Sequence, residues 1–226
     1  WNYQKLMAHF LGTLRSQDDN VGRLLEFLDA YGLADNTIVV FTGDHGFFLG
    51  DHGWFDKRFM YEQALRVPWM IRHPGVVKPG SVSSDWVVNI DNAPTALDLA
   101  GVEVPGDMQG RSVVPILHGQ TPADWRKSLY YHYYEFAPPH WVMPHYGIRT
   151  ERYKLIYYYT VNEWELFDLE KDPDEMESLC EWAGYKVHPG YESVLTDLFG
   201  QLKELRATFK DTTGHPPKIW PQQSID

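Results

Sequence analysis

The sequence has little cysteine, no long apolar run and a shortage of positive charge. Its single cysteine, Cys180, cannot form a disulfide within the chain and does not stand in a paired-cysteine metal spacing. No stretch approaches the roughly 18 apolar residues of a membrane-spanning helix, so we expect no membrane span in this chain. The net charge is -11, with 31 acidic and 20 basic residues. This balance argues against nucleic acid as a partner, because phosphate binding depends on clustered cations.

The chain also lacks an initiating methionine and any visible targeting signal. It begins at Trp1, without a basic segment followed by an apolar one, so its start is expected to be internal to a longer protein. What it does contain is 43% hydrophobic and 15% aromatic residues. This content is sufficient for a substantial buried core, and we therefore expect a folded body rather than a disordered chain.

The first half of the chain has the pattern of an α/β unit. Apolar residues recur at helical spacing over residues 3–28, which predicts one long helix or two consecutive helices. The β-branched run 37–42 predicts a strand that is buried on both faces, as in a parallel sheet covered by helices. A second strand is predicted at 67–71. A helix that Asp91 caps and that ends at Gly101 completes the unit.

The second half of the chain changes to aromatic strands with alternating polarity. The predicted strands lie at 129–134, 146–149, 153–159 and 164–167. An amphipathic helix at 195–209 is expected to pack on this antiparallel sheet, and the proline-rich tail after Gly214 is expected to form an irregular strap. The predicted fold class is therefore α/β: a mixed sheet flanked by helices in residues 1–120, then a smaller α+β domain in residues 121–226.

Acidic, imidazole and glycine residues follow the first predicted strand directly. In Thr42-Gly43-Asp44-His45-Gly46, Asp44 and His45 stand at the carboxyl end of that strand, where open α/β sheets bind their ligands. The flanking glycines allow close approach of the backbone, and a carboxylate beside an imidazole suits a divalent cation. An ordinary polar turn is the alternative interpretation.

A second group of polar residues follows in the same loop. His52 lies in Gly50-Asp51-His52-Gly53, and Lys57 comes shortly after. A lysine at such a site can neutralise charge on a tetrahedral anion or on the oxygen of a departing alcohol. Taken singly, a lysine is more often a solvated surface residue. His52 stays open between a role beside the site and a purely structural one.

Several blocks of the sequence, in order, resemble those of sulfatases, hydrolases of the alkaline-phosphatase superfamily. The blocks are TGDHG at 42–46, LGDHGW at 49–54, MYEQALRVP at 60–68, DNAPTALDLAG at 91–101, GIRTERYKLI at 147–156 and ELFDLEKDP at 165–173. They resemble in particular the bacterial glycan sulfatases, including those similar to glucosamine-6-sulfatases and iduronate-2-sulfatases. The resemblance implies that residues 1–120 are part of an alkaline-phosphatase-like mixed sheet.

The resemblance also implies roles for individual residues. Asp44 and His45 would be ligands of the active-site cation, normally calcium in this family. Zinc or manganese is the less favoured alternative that the imidazole leaves open. Lys57 would contact the sulfate and the leaving oxygen. The predicted substrate-binding residues are His52, His140, His145 and Arg149.

The aromatic and imidazole residues of 130–146 are the expected place of substrate specificity. Flat rings suit stacking on sugars, and His140 and His145 are expected to bind because they lie in a proline-interrupted loop. Some tyrosines are instead expected to alternate into the core. They are Tyr131, Tyr133, Tyr157 and Tyr159. Arg66 is expected to form a buried structural ion pair, with Glu62 as its near neighbour.

The nucleophile that the resemblance implies does not occur in these 226 residues. Sulfatases carry a Cys-x-Pro-x-Arg or Ser-x-Pro-x-Arg motif whose first residue is converted to formylglycine, and neither motif is present. The family places this motif upstream, together with acidic residues that complete the metal shell. We therefore expect the chain to be inactive alone and its partner to be the missing amino-terminal half of the same enzyme.

The sequence thus predicts a sulfuric-ester hydrolase that acts on a sulfated glycan, with an N-acetylhexosamine 6-sulfate as the expected substrate and an exo mode of action. A zinc phosphodiesterase or phosphonate hydrolase of the same superfamily is one alternative. A non-catalytic module that binds sulfated glycans is another. The resemblance implies a periplasmic, cell-surface or secreted location, because glycan substrates occur there.

Overall fold

The computed structural model describes residues 2–136, 138, 140–181 and 186–214. The helices are α1 Asn2–Ala30, α2 Glu62–Leu65, α3 Asn92–Leu99, α4 Val114–Leu117 and α5 Glu192–Thr208. The strands are β1 Val39–Thr42, β2 Phe48–Leu49, β3 Phe55–Asp56, β4 Trp69–Arg72, β5 Ser128–Tyr133, β6 His145–Thr150, β7 Tyr153–Tyr158 and β8 Glu163–Asp168. Among the helices so described, none is both long enough and apolar enough to cross a bilayer. The predicted strap after Gly214 lies outside the described residues.

Packing divides the chain into two compact units. The first consists of residues 1–41 and 69–83, and the second of residues 42–68 and 84–226. The predicted domains, 1–120 and 121–226, stay a prediction, because the packing units interleave along the chain and do not test a single boundary.

The first unit contains one long helix and a two-stranded sheet. α1 is a single helix, so of the two predicted possibilities the continuous one is correct. β1 pairs with β4. Positions along β1 alternate between half-buried and exposed, and the expectation of a strand buried on both faces is wrong for this chain. The physical reason is that no described residue of the first unit is buried, so β1 has no packed layer on its second face.

The second unit is built on a four-stranded antiparallel sheet in the order β5-β6-β7-β8. All four predicted strands are confirmed, with ends that differ by at most one residue. Short turns join β6 to β7 and β7 to β8, which gives the predicted meander. In its register Arg149 of β6 faces Lys154 of β7 directly, so these two side chains lie on the same face of the sheet.

Both faces of this sheet are packed. On one face α5 contributes Leu195, Leu198 and Leu202 to a core with the sheet, as the predicted amphipathic helix requires. On the other face, residues of the segment 48–65 pack on Ile156, Tyr158 and Phe167. They are Phe48, Met60, Tyr61 and Ala64. Burial of each large side chain contributes about 1.5–3 kcal/mol, so both layers stabilise the sheet.

The predicted cap of α3 is wrong in detail. The carboxylate of Asp91 accepts hydrogen bonds from the backbone N–H groups of Val88, at 2.9 Å, and Arg111, at 2.8 Å, and it pairs with Arg126. It therefore caps the 3-10 turn before α3 rather than α3 itself, because it lies inside that turn. Gly101 does follow the helix, with a φ of 69° that favours glycine.

Candidate active site

Asp44 and His45 lie in the loop directly after β1, as predicted. The Asp44 side chain is 87% exposed, and His45 Nε2 lies 3.5 Å from its Oδ2. His45 Nδ1 is 2.7 Å from the carbonyl oxygen of Gly46 and must donate to it, because a carbonyl only accepts. In the neutral ring this leaves the lone pair on Nε2, the nitrogen on the Asp44 side. A carboxylate and an imidazole lone pair thus converge in a form that a cation can use.

These two residues fit a metal as part of its ligand shell. Calcium takes about 6–8 oxygen ligands, and no group of three or more His, Cys, Asp or Glu side chains suited to a metal occurs in the described part of the chain. Asp44 and His45 can therefore supply two donors. A complete calcium shell would need further ligands beyond these two.

A glycine seats this loop on α2. The N–H of Gly46 donates to the carbonyl oxygen of Ala64 at 2.7 Å. A Cβ on Gly46 would lie only 2.0 Å from the carbonyl oxygen of Gln63 and 2.8 Å from that of Arg66. The loop and α2 are therefore in backbone contact, and only glycine fits at this position.

β2 and β3 form a short hairpin, and His52 comes before β3 in the chain while Lys57 comes after it. Lys57 follows β3 directly and is half-buried. The His52 ring stacks on Tyr61 at 4.7 Å and on Trp54 at 5.7 Å between ring centroids. Its Nε2 is buried and finds no hydrogen-bond partner among the described residues. This stacked position favours the structural alternative for His52 over contact with substrate.

His140 meets two residues that the sequence analysis missed. Arg58 donates to the carboxylate of Asp56, and its Nη2 donates to Nε2 of His140 at 2.8 Å. His140 Nδ1 lies 3.7 Å from Oδ2 of Asp56. Asp56 and Arg58 are the residues directly before and after Lys57 in the sequence. The sequence signal for their place in the candidate site was thus a carboxylate and a guanidinium on either side of the lysine that is predicted to bind sulfate.

Exposed aromatic rings are close to His140 in sequence. Trp141 is 63% exposed and lies edge-on to the exposed Phe136, with 5.7 Å between ring centroids. Tyr134 is exposed as well. Rings that keep an open face suit stacking on a sugar. The predicted tyrosine alternation is confirmed for Tyr157, which is fully buried, while Tyr131, Tyr133 and Tyr159 are half-buried.

The predicted loop position of His145 is wrong. His145 is the first residue of β6 and is fully buried, because the chain enters the strand directly after Pro144. Its Nδ1 donates to the carbonyl oxygen of Met143 at 2.7 Å, and its Nε2 is buried without a partner among the described residues. Burial lowers the pKa of this imidazole to about 4. A buried neutral ring does not support a substrate-binding role.

Arg149 is committed to a carboxylate. Its Nε and Nη2 donate to the two carboxylate oxygens of Glu62 at 3.2 Å and 3.1 Å, and its guanidinium lies 4.9 Å from the ring of Trp86. This bidentate pairing does not support the predicted contact with substrate. The expected buried ion pair of Arg66 is wrong, because Arg66 is exposed. Glu62 is its near neighbour as expected, since the backbone N–H of Arg66 donates to the carbonyl oxygen of Glu62 at 2.9 Å, but the Glu62 carboxylate pairs with Arg149.

Glu62 belongs to a larger group of buried charges. Lys154 is 0% exposed, and its Nζ pairs with Glu62 Oε1 at 2.9 Å and with the buried Glu175. The Glu175 carboxylate also accepts the backbone N–H of Glu62 at 2.7 Å. Burial would raise the pKa of Glu62, but Lys154 and Arg149 outweigh that effect and hold it below its usual value. Sequence spacing gave no signal for this group.

Comparison with known proteins shows a consistent set of relatives. Residues 50–208 match the family described as "N-sulphoglucosamine sulphohydrolase, C-terminal". The chain is 50% identical over 214 residues to the N-acetylglucosamine-6-O-sulfatase of Bacteroides thetaiotaomicron, which is 93% of this chain and 37% of that protein. It is 39% identical over 123 residues to the human N-acetylglucosamine-6-sulfatase, which is 54% of this chain and 22% of that protein. The chain thus spans little more than a third of the first of these relatives.

Solved structures show the same likeness. One, of a protein in complex with its substrate D-glucosamine-2-N,6-O-disulfate, matches with a TM-score of 0.87 and 46% identity over 99% of this chain and 44% of that chain. The phosphonate monoester hydrolase of Agrobacterium radiobacter matches with a TM-score of 0.76 and 26% identity over 85% of this chain and 39% of that chain. These structures confirm the predicted fold class.

Proposed function

Because this chain belongs to the N-sulphoglucosamine sulphohydrolase C-terminal family, and hence to the sulfatases, we propose that it is part of an enzyme that hydrolyses a sulfate ester of a glycan. The 50% identity to an N-acetylglucosamine-6-O-sulfatase, over 93% of the chain, carries this proposal. The same relative supports an N-acetylhexosamine 6-sulfate as the substrate. The exo mode of action stays a prediction.

Asp44 and His45 are the proposed ligands of a divalent cation, and calcium is the proposed metal. When bound, the cation would supply positive charge beside the oxygens of the sulfate group. The convergence of Asp44 Oδ2 and His45 Nε2 within 3.5 Å supports this assignment. Lys57 is proposed to contact the sulfate and the leaving oxygen, where its ammonium would oppose the negative charge that develops as the ester bond breaks.

The group Asp56, Arg58 and His140 is proposed to bind the sugar. A carboxylate accepts hydrogen bonds from sugar hydroxyls, while guanidinium and imidazole N–H groups donate to them. The contacts among these three residues preorganise the group, because each is held by another before a ligand arrives. The exposed rings of Phe136 and Trp141 are proposed to stack on the sugar. This group replaces His145 and Arg149 as the candidate for specificity.

The rest of the catalytic apparatus is proposed to lie in a part of the protein outside these 226 residues. The chain spans 37% of its Bacteroides relative, and the matching family is a carboxyl-terminal one. An amino-terminal part would carry the formylglycine nucleophile and the remaining cation ligands. The open apolar side chains of the first unit support such a partner, because large exposed apolar patches mark surfaces that another structure covers. Relatives that act on glycans support a periplasmic, cell-surface or secreted location.

The test uses the full-length protein that contains this chain. We expect it to release sulfate from N-acetylglucosamine 6-sulfate, and we expect Lys57→Ala to reduce kcat by roughly a hundredfold or more, as loss of transition-state stabilisation does. Lys203→Ala, at an exposed position of α5, is the matched control and should leave kcat unchanged. His140→Ala should raise KM more than it lowers kcat. Full activity in Lys57→Ala would contradict the role of this lysine, and absence of sulfate release would contradict the function.

Hydrolysis of a phosphonate ester is the second candidate. The structural likeness to the Agrobacterium phosphonate monoester hydrolase, at 26% identity, favours it less than 50% identity favours the sulfatase. The same preparation should be offered a phosphonate monoester and a sulfate ester. Phosphonate turnover without sulfate turnover, in a protein that contains zinc, would replace the sulfatase proposal. Saturable binding of a sulfated oligosaccharide without turnover would favour the binding module.

A further inference from the structure

The cation loop takes its position from α2. Gly46, adjacent to His45, donates its backbone N–H to the carbonyl oxygen of Ala64 in α2. It also lies so close to the carbonyl oxygens of Gln63 and Arg66 that no Cβ would fit. A displacement of α2 would therefore be transmitted to Asp44 and His45 by backbone contact. What holds α2 in place thus decides where these two side chains lie.

A single turn of helix cannot hold its own position. α2 has four residues, and helices of this length are not stable without tertiary contacts. Its first residue, Glu62, is fixed to the sheet by Arg149 of β6 and Lys154 of β7, which are cross-strand partners on one face. The preceding residue, Tyr61, donates to both carboxylate oxygens of Glu165, at 2.9 Å and 2.8 Å. The start of α2 is thus anchored to three neighbouring strands.

Lys154 is central to this anchor. It is fully buried and bridges Glu62 to Glu175, and Glu175 in turn accepts the backbone N–H of Glu62. The group contains two cations and two anions and is neutral as a whole. Removal of the ammonium would leave two buried carboxylates close together with one guanidinium, an arrangement that electrostatics disfavours. Glu62 and α2 would then move or take up water.

We propose that Lys154 is a positioning residue for the cation site: through Glu62 it fixes α2, and through α2 it sets the place of Asp44 and His45. The inference rests on the proposed function, in which Asp44 and His45 bind a divalent cation. Lys154 itself is too deeply buried to contact substrate or metal. Its effect is on ligand geometry, and ligand geometry determines cation affinity.

Calcium titration of the full-length protein by calorimetry tests this inference. Lys154→Met keeps the length of the side chain and removes its charge, and we expect calcium affinity to fall by about 10–100-fold, as for loss of the groups that orient metal ligands. Asp211→Asn is the matched control. Asp211 is the acceptor for Tyr130, at 2.6 Å, and for His132, in a second buried polar group of the same unit. We expect that control to lower the midpoint of thermal unfolding without changing calcium affinity.

A second variant covers the case in which Lys154→Met does not fold. Glu62→Gln keeps the size of the side chain and the pair of Lys154 with Glu175, and it should also weaken calcium binding. Calcium affinity at the wild-type level in folded Lys154→Met or in Glu62→Gln would overturn the inference. If the wild-type protein binds no calcium, or if Asp44→Asn binds it as well as wild type does, the proposed cation site itself fails. Those two failures are therefore distinguishable.

Discussion

The two compact units treat their apolar residues in opposite ways. In the second unit the sheet is packed on both faces, and residues such as Ile148, Leu155 and Leu166 are fully buried. In the first unit no described residue is buried, and large side chains such as Leu24 and Tyr31 are 66% and 69% exposed. The apolar residues of the four-stranded sheet are therefore buried by other segments of the same unit. Those of α1 and of the two-stranded sheet in the first unit are not buried.

This contrast explains why sequence patterns that look alike have different outcomes. The periodicity of α1 and of α5 predicts an apolar face in both helices. The apolar face of α5 packs on the four-stranded sheet. α1 has no buried residue, so its apolar face is exposed among the described residues. The pattern reports that a face needs a partner, and it does not report where in the protein that partner is encoded. The chain covers 37% of the length of the Bacteroides relative, and the amino-terminal part proposed above would supply such a partner.

The sharpest test of the contrast removes one leucine from each unit. Leu166→Ala leaves a cavity in a fully packed sheet and should destabilise the full-length protein by about 2–5 kcal/mol. Leu24→Ala removes a side chain that is mostly exposed in this chain. If it is exposed in the whole protein, the change should cost less than about 0.5 kcal/mol. Denaturant unfolding measures both values.

The stability of the Leu24→Ala variant can also show that the difference in packing between the two units does not hold in the full-length protein. If the proposed amino-terminal part covers α1, Leu24→Ala should cost several times more in the full-length protein than an exposed site does. A cost close to that of Leu166→Ala would show that the two units are equally packed in the full-length protein. A negligible cost would contradict the proposed cover on α1.

The sheet could be predicted from the sequence because each strand is short, aromatic and bounded by breakers. The bend at 151–152 and the turn at 169–171 follow runs whose composition suits strands only, and the four predicted strands are all confirmed. The position of Asp44 and His45 in the chain was also predictable, since it depends on one local fact, the end of the first strand. Local patterns thus carried most of the fold and the centre of the candidate site.

The pairings within the site could not be predicted in the same way. Arg149 and Glu62 are 87 positions apart, and Arg58 and His140 are 82 apart. Such contacts depend on the register of the sheet and on which segment covers its second face, and neither is encoded in local periodicity. His145 was misplaced for a related reason. The prolines of this segment suggested a loop, but His145 begins β6, where the aromatic layer around it accommodates a neutral imidazole.

His145 makes the stability of the second unit depend on pH, because its imidazole is fully buried. No described histidine of the first unit is buried. Burial holds its pKa at about 4, against 6.5 for an ordinary histidine. Between these values the unfolded chain binds a proton that the folded chain does not, so stability falls as pH decreases through that window. The full loss amounts to about 3 kcal/mol. Unfolding free energies measured from pH 7 to pH 4.5 should show this fall in wild type.

Replacement of His145 isolates its contribution. His145→Phe keeps an aromatic ring and has no titratable nitrogen, so stability should fall less steeply with decreasing pH than in wild type. His188→Gln removes a histidine at an exposed position and should leave the slope unchanged. An unchanged slope in His145→Phe would mean that the buried imidazole is not what the low-pH loss reports.

Two glycine positions test the contrast with the smallest change, one methyl group in each unit. A Cβ at Gly147 of β6 would lie 2.4 Å from the carbonyl oxygen of Leu155 and 2.6 Å from the sulfur of Met60. Gly147→Ala should therefore destabilise the protein by about 1–3 kcal/mol through overpacking. At Gly12 in α1 a Cβ meets no atom within 4 Å, and Gly12→Ala should stabilise the helix by up to about 1 kcal/mol. Opposite signs of the two stability changes, measured in the full-length protein, would show that the contrast between the units holds there. Destabilisation by both changes would show that a close neighbour covers Gly12 in that protein.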